Sequence, residues 1–163
     1  MYDQSVPVFL HGLTALSSVL SKAEAHAADK KIDPAVLLGC RLFPDMFPLI
    51  RQVQLSCDFA ARGVARLAGQ EPRSFPDTET DFAGLQARIA AVKDHVGGFS
   101  AEALAGAATR EITLKVAGSE RSFSGAAFLA YFVMPNFYFH MSTAYNILRH
   151  NGVVLGKADF MGG

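Results

Sequence analysis

PNFYFHMSTAYNILRHNGVVLGKADFMGG, residues 135–163, contains the second half of the helix on which the predicted fold depends. We expect this helix to begin at the N-cap Ser124 and to stop at Gly152. No charged side chain occurs from Gly125 to Leu148, so the helix must be covered by other helices, by a second subunit, or by both. Pro135 lacks a backbone N–H and predicts a kink.

Three more long helices are predicted upstream, from apolar periodicity and from residues that begin or end helices. They span residues 6–28, 45–68 and 82–96. Asp45 is the expected N-cap of the second one. The alternating segments 111–116 and 120–123 predict a hairpin, whereas the tail, residues 153–163, has too many glycines for a helix. The sequence therefore predicts an all-α protein, a four-helix bundle with a small β-hairpin before the last helix.

Length and composition indicate one globular domain, residues 1–163, with a core of its own. Half of the residues are hydrophobic and the formal net charge is zero, so no basic face is available for a nucleic acid. Cys40 and Cys57 have no disulfide or metal-ligand spacing, and no secretory signal is visible. We therefore expect a cytoplasmic protein.

The uncharged segment 125–148 is also long enough to cross a membrane. It nevertheless carries Asn136, His140 and Thr143, and polar groups of this kind are costly in hydrocarbon. We therefore expect this segment to be a buried helix of a soluble protein, and we expect no membrane partner.

These same three residues, Asn136, His140 and Thr143, fall on one face of the last helix. An imidazole there could bind a metal or act as a general base. A lone histidine in such a place is more often a core histidine, bonded to a backbone carbonyl or to Thr143. Gln52, at the edge of the apolar face of the second helix, is placed to point toward His140, and Asp45 either caps that helix or joins the site.

Tyr131, Tyr138 and Tyr145 recur every seven residues on the opposite face of the last helix. Tyrosine offers a large apolar area with a polar tip, which is typical of packing or of an interface. Zero net charge gives little repulsion between copies, so we expect that the protein can associate with itself. The motifs of metalloproteases, di-iron bundles, nucleotide-binding loops and serine hydrolases are all missing from the sequence.

Two segments together resemble a bacterial family of uncharacterised proteins, a domain of unknown function, within the DinB/YfiT-like metalloenzyme superfamily. They are the segment quoted above and RLFPDMFPLIRQVQLSCDFAARGVARLAG, residues 41–69. The resemblance extends over nearly the whole chain. It implies a helical bundle with a hairpin or long connection before the last helix, often assembled as a homodimer.

The resemblance also implies a metal site of three histidines, one on the second helix and two on the last. His140 matches the first of the last-helix pair, whereas Asn136 and Ala144 stand one turn to either side of it. Gln52 stands near the position of the second-helix histidine. Two of the three expected ligands are thus absent.

The sequence is compatible with two functions, one of a binding protein and one of an enzyme. The first is a degenerate central site, with Asn136, Thr143 and Gln52 around His140, that binds a small molecule or is not catalytic. The second is a metal-dependent hydrolase or thiol transferase. In that case His140 would bind zinc or nickel, with Asp45 or Gln52 completing the coordination.

Overall fold

Helices account for most of the protein, which is known here from a computed structural model that describes all 163 residues. In chain order the elements are a 3-10 turn (Tyr2–Gln4), α1 (Val6–Lys30), α2 (Pro34–Gly39), α3 (Leu49–Leu67), α4 (Phe82–Gly97), β1 (Glu111–Val116), β2 (Ser119–Ser124), α5 (Gly125–Phe128), a π-helical turn (Leu129–Val133), α6 (Met134–His150) and α7 (Lys157–Met161). The long helices are α1, α3, α4 and α6. The strands form a two-stranded antiparallel hairpin that opposes Glu111 to Ser124.

Several helices begin where side chains cap their first backbone N–H groups. Asp33 accepts from the Ala35 N–H at 2.9 Å ahead of α2, and Asp81 accepts from the Gly84 N–H at 2.7 Å ahead of α4. Ser124 does the same for α5. These local caps offset the unpaired donors of the first turn, and Ser124 is an N-cap that the sequence predicts.

The start of the second long helix differs from the expectation. Asp45 does not cap it, since α3 begins only at Leu49, with Pro48 as its N-cap, and Asp45 is exposed in the preceding turn. The residue before a proline is pushed out of the helical region, so Phe47 cannot continue a helix into Pro48. The predicted N-cap was therefore wrong by one turn.

The tail also differs, because it forms the short helix α7 despite its glycines. Asp159 accepts from the Gly156 N–H at 2.7 Å, and Gly162 closes the helix at a φ of 81°. His11 of α1 contacts the Met161 carbonyl at 2.8 Å, and Lys22 forms an ion pair with Asp159. Tertiary contacts thus stabilise a helix that its composition disfavours.

The interruption predicted at Pro135 takes the form of a π turn. Residues 125–150 are helical throughout, but the Met134 N–H donates to the carbonyl of Leu129, five residues back. Proline has no N–H for the carbonyl four residues before it, and a local change of register accommodates this defect.

The core is one continuous cluster of 38 buried apolar residues. Helix α3 packs against α6 and α4, and α1 packs against α4 and α7. A Cβ atom at Gly63 would lie 2.5 Å from Cγ1 of Val133, so the approach of α3 to the π turn requires glycine. Tyr2–Lys30 is the one helical stretch with the length and apolarity of a membrane span, and half of its most apolar window is buried within the protein.

Candidate functional site around His140

His140 of α6 and Gln52 of α3 meet where these two helices pack. The His140 Nδ1 atom lies 2.8 Å from the Gln52 Oε1 atom, and Gln52 Nε2 donates to the Phe47 carbonyl at 3.0 Å. Because that second bond fixes which end of the amide is the acceptor, Nδ1 must carry the proton and donate it to Oε1. In the neutral ring the lone pair then lies on Nε2.

The imidazole is held in an aromatic environment. Only 8% of His140 is exposed, and its ring stacks on Phe59 with 5.6 Å between centroids and 16° between planes. The ring of Phe139 meets it edge-on at 5.2 Å. Burial, together with the positive charge of Arg51, lowers the pKa of His140 to about 4. The ring is therefore neutral at pH 7.

These features define what the imidazole can do. Nε2 has no hydrogen-bond partner in the protein and it reaches solvent. It can accept a hydrogen bond or donate its lone pair to a metal. A pKa near 4 makes it a weak general base at neutral pH, since efficient bases have a pKa close to the working pH.

The other expected site residues are used differently. Thr143 donates its hydroxyl to the Phe139 carbonyl at 2.7 Å, and the Asn136 amide donates to the Phe132 carbonyl at 2.7 Å. Both donors are thus engaged by the helix backbone. Asp45 is exposed and forms no side-chain hydrogen bond or ion pair, so no such contact links it to His140.

Two residues that act on the imidazole, Phe59 by stacking and Arg51 by its charge, were not expected to do so. Phe59 lies seven residues after Gln52 on the same line of α3, so its position had a signal in the helical period. No such signal indicated a role for Arg51, because the helical spacing places it with the solvent-facing residues of α3. An ion pair with Asp77, in the loop before α4, holds its guanidinium in place.

An ion cluster with a buried centre, Arg88 and Asp58, joins α3, α4 and this loop. Arg88 of α4, whose side chain is 1% exposed, contacts Asp58 at 2.7 Å, Glu79 at 3.0 Å and Asp77 at 3.1 Å. Arg62 binds the second oxygen of Asp58 at 3.1 Å. Arg51 completes a set of three cations and three carboxylates, so the charges of the cluster balance.

The residues present do not fit the zinc or nickel site that the resemblance implies. No group of three or more histidine, cysteine or carboxylate side chains is arranged so that it could hold a metal ion. Gln52 Oε1 is already occupied by the His140 N–H, and burial raises the pKa of the Cys57 thiol to about 12, so it is not a thiolate. One imidazole nitrogen alone is a poor site for either metal.

Comparisons with known proteins agree with the resemblance seen in the sequence. A family model described as a domain of unknown function (DUF1993) matches residues 1–161. The crystal structure of a DinB family member protein from Shewanella denitrificans is 46% identical in sequence, with a TM-score of 0.94. That alignment covers 99% of this chain and 92% of the other. None of the curated proteins matches the chain.

Proposed function

Since this chain belongs to the DUF1993 family, we propose that residues 1–163 form one DinB-like four-helix-bundle domain with a degenerate central site. That site binds a small neutral molecule and is not catalytic. The observation that carries the proposal is the neutral imidazole of His140, whose Nδ1–H is fixed by Gln52 and whose Nε2 is open to a donor. Phe59 supplies a flat apolar surface beside it.

A test of this proposal uses phenol, a neutral aromatic hydrogen-bond donor. Phenol should shift the 15N resonance of His140 Nε2 and should bind with a measurable heat. The His140→Ala variant should lose this binding, whereas His150→Ala, which changes an exposed histidine of the same helix, should retain it. Equal binding by all three proteins would mean that the imidazole is not the site.

The second candidate is a metal-dependent hydrolase or thiol transferase centred on His140. Its support is that metal-binding histidines commonly donate their other ring N–H to an oxygen, as Nδ1 does to Gln52. If the metal is zinc or nickel, its ligands other than His140 would have to come from the substrate or from a second subunit.

Metal analysis separates the two candidates. Protein without an affinity tag, purified without chelator, should contain no stoichiometric zinc or nickel under the first proposal, and His140 should not bind either metal when it is added. Stoichiometric metal that is present in the wild type and in His150→Ala, but missing from His140→Ala, would favour the enzyme.

We also propose a cytoplasmic homodimer with no nucleic-acid or membrane partner, in keeping with the zero net charge. Support for the interface comes from three aromatic side chains, Tyr131 at 80%, Phe139 at 57% and Tyr138 at 39% exposure. Tyr138→Glu should give monomers by light scattering, whereas Val36→Glu, at an exposed apolar residue of α2, should remain dimeric. A Tyr138→Glu protein of unchanged mass would rule out this face.

A further inference from the structure

A cavity of about 440 Å³ lies on another side of Phe59, between α3, the π turn and the hairpin. Half of its twelve lining residues are hydrophobic, with the rings of Phe59, Phe128 and Phe132 among them. The centroids of Phe128 and Phe132 are 5.6 Å apart, so these rings form a continuous aromatic wall. Cavities of this size and character commonly hold small organic molecules.

The charged residues at this cavity are mainly positive. Arg62, Arg66 and Lys115 line it together with one carboxylate, Asp58. Asp58 is already bound on one oxygen by Arg88 and on the other by Arg62. Arg66 and Lys115 form no ion pair, so two cations face the cavity without a counterion.

The placement of Arg66 is electrostatically unfavourable in the absence of an anion. It lies one helical turn from Arg62, and like charges at this spacing destabilise a helix. Burial and the charge of Arg62 lower the pKa of the Arg66 guanidinium, and Glu71 opposes this effect only in part. Lys115 faces Glu120 across the hairpin without reaching ion-pair distance. An anion in the cavity would offset this repulsion.

We propose that the cavity is a binding site for a small organic anion with an apolar body and a single carboxylate, sulfonate or phosphate head. The head is bound by Arg66 and Lys115, since a guanidinium matches the geometry of such oxyanions. The apolar body packs against Phe59 and Phe132, which line the cavity and are only partly buried. Phe59 separates this site from the imidazole, stacking on His140 and lining the cavity, so binding here does not require His140.

Titration calorimetry with octanoate and with octanol tests this site, because the two molecules share the apolar body and differ in charge. Octanoate should bind the wild type, and octanol should bind at least about tenfold more weakly, the loss expected for one charge-assisted contact. Arg66→Gln and Lys115→Gln should each weaken octanoate by about the same factor without changing octanol. The control Arg149→Gln, on the exposed surface of α6, should bind octanoate as the wild type does.

Ionic strength gives a second readout. Raising the salt concentration should weaken octanoate binding and leave octanol unaffected, since only a charged contact is screened. Equal affinities for octanoate and octanol, no binding of octanoate, or wild-type affinity in both charge variants would overturn the proposal. Lys115 is exposed on β1, so its variant folds even if Arg66→Gln proves unstable, and circular dichroism verifies this.

Discussion

Acidification should destabilise this protein through His140. Its pKa in the folded state, about 4, lies below the ordinary value of 6.5, so on acidification the unfolded chain binds a proton before the native protein does. A depressed histidine pKa therefore contributes stability that is complete above the unfolded value and is lost as the pH falls from about 6.5 toward 4. Between about pH 7.5 and pH 5 the loss amounts to about 2 kcal/mol of unfolding free energy from this one residue.

Urea denaturation of the wild type and of His140→Gln at both pH values measures the effect. All other groups titrate in both proteins, so the difference between the two stability curves isolates the histidine. The wild type should lose about 2 kcal/mol more than the variant on acidification. An NMR titration of the ring gives its pKa directly, and Arg51→Gln should raise it because that charge helps to depress it. Parallel stability curves, or a ring that titrates near 6.5, would refute the reasoning.

Three further predictions concern stability measured by urea denaturation. Gln52→Leu leaves an imidazole N–H and a loop carbonyl without partners, and should cost about 1–3 kcal/mol; an unchanged midpoint would show that the hydrogen bonds are not formed. Arg88→Met leaves buried carboxylates without their cation and should lower the free energy of unfolding by about 3–5 kcal/mol. Arg62→Gln removes a half-exposed cation and should lower it by no more than about 1 kcal/mol. Similar losses in the two variants would contradict the burial of Arg88. Gly63→Ala should cost about 1–3 kcal/mol because its Cβ atom would collide with the π turn. Gly97→Ala has open space around it and should be neutral or stabilising by up to about 1 kcal/mol. The reverse order of the two stabilities would be inconsistent with the packing.

The sequence identified features whose causes are local. The Ser124 cap acts within three residues of itself, so the residue type and its position are enough to predict it. The start of α3 was missed because Pro48 excludes the preceding residues from the helix, an effect that outweighs the capping propensity of Asp45. Helix α7 was missed because its stability depends on contacts with α1, which lies more than 130 residues away in the chain.

The same distinction holds for the site. Helical periodicity on α3 and α6 was enough to predict that Gln52 faces His140, because both helices are regular and pack along their apolar faces. The influence of Arg51 on the imidazole was not predictable, since it depends on Asp77 and on the path of an irregular loop. The cavity next to Phe59 depends on the hairpin lying against α3, and the pattern of the two strands does not indicate where they dock.

The π turn before Pro135 makes the last helix longer by one residue than an uninterrupted α-helix would be over the same path, as a one-residue insertion does. Deleting Ala130, which is exposed, would restore a plain α-helix and rotate the preceding residues by about 100°. Phe128 would swing away from the hairpin, while the imidazole, which follows the turn, would stay against its glutamine. The helical segments before and after the turn can therefore vary independently among relatives. A change before the turn would alter the lining of the cavity and would leave the histidine where it is.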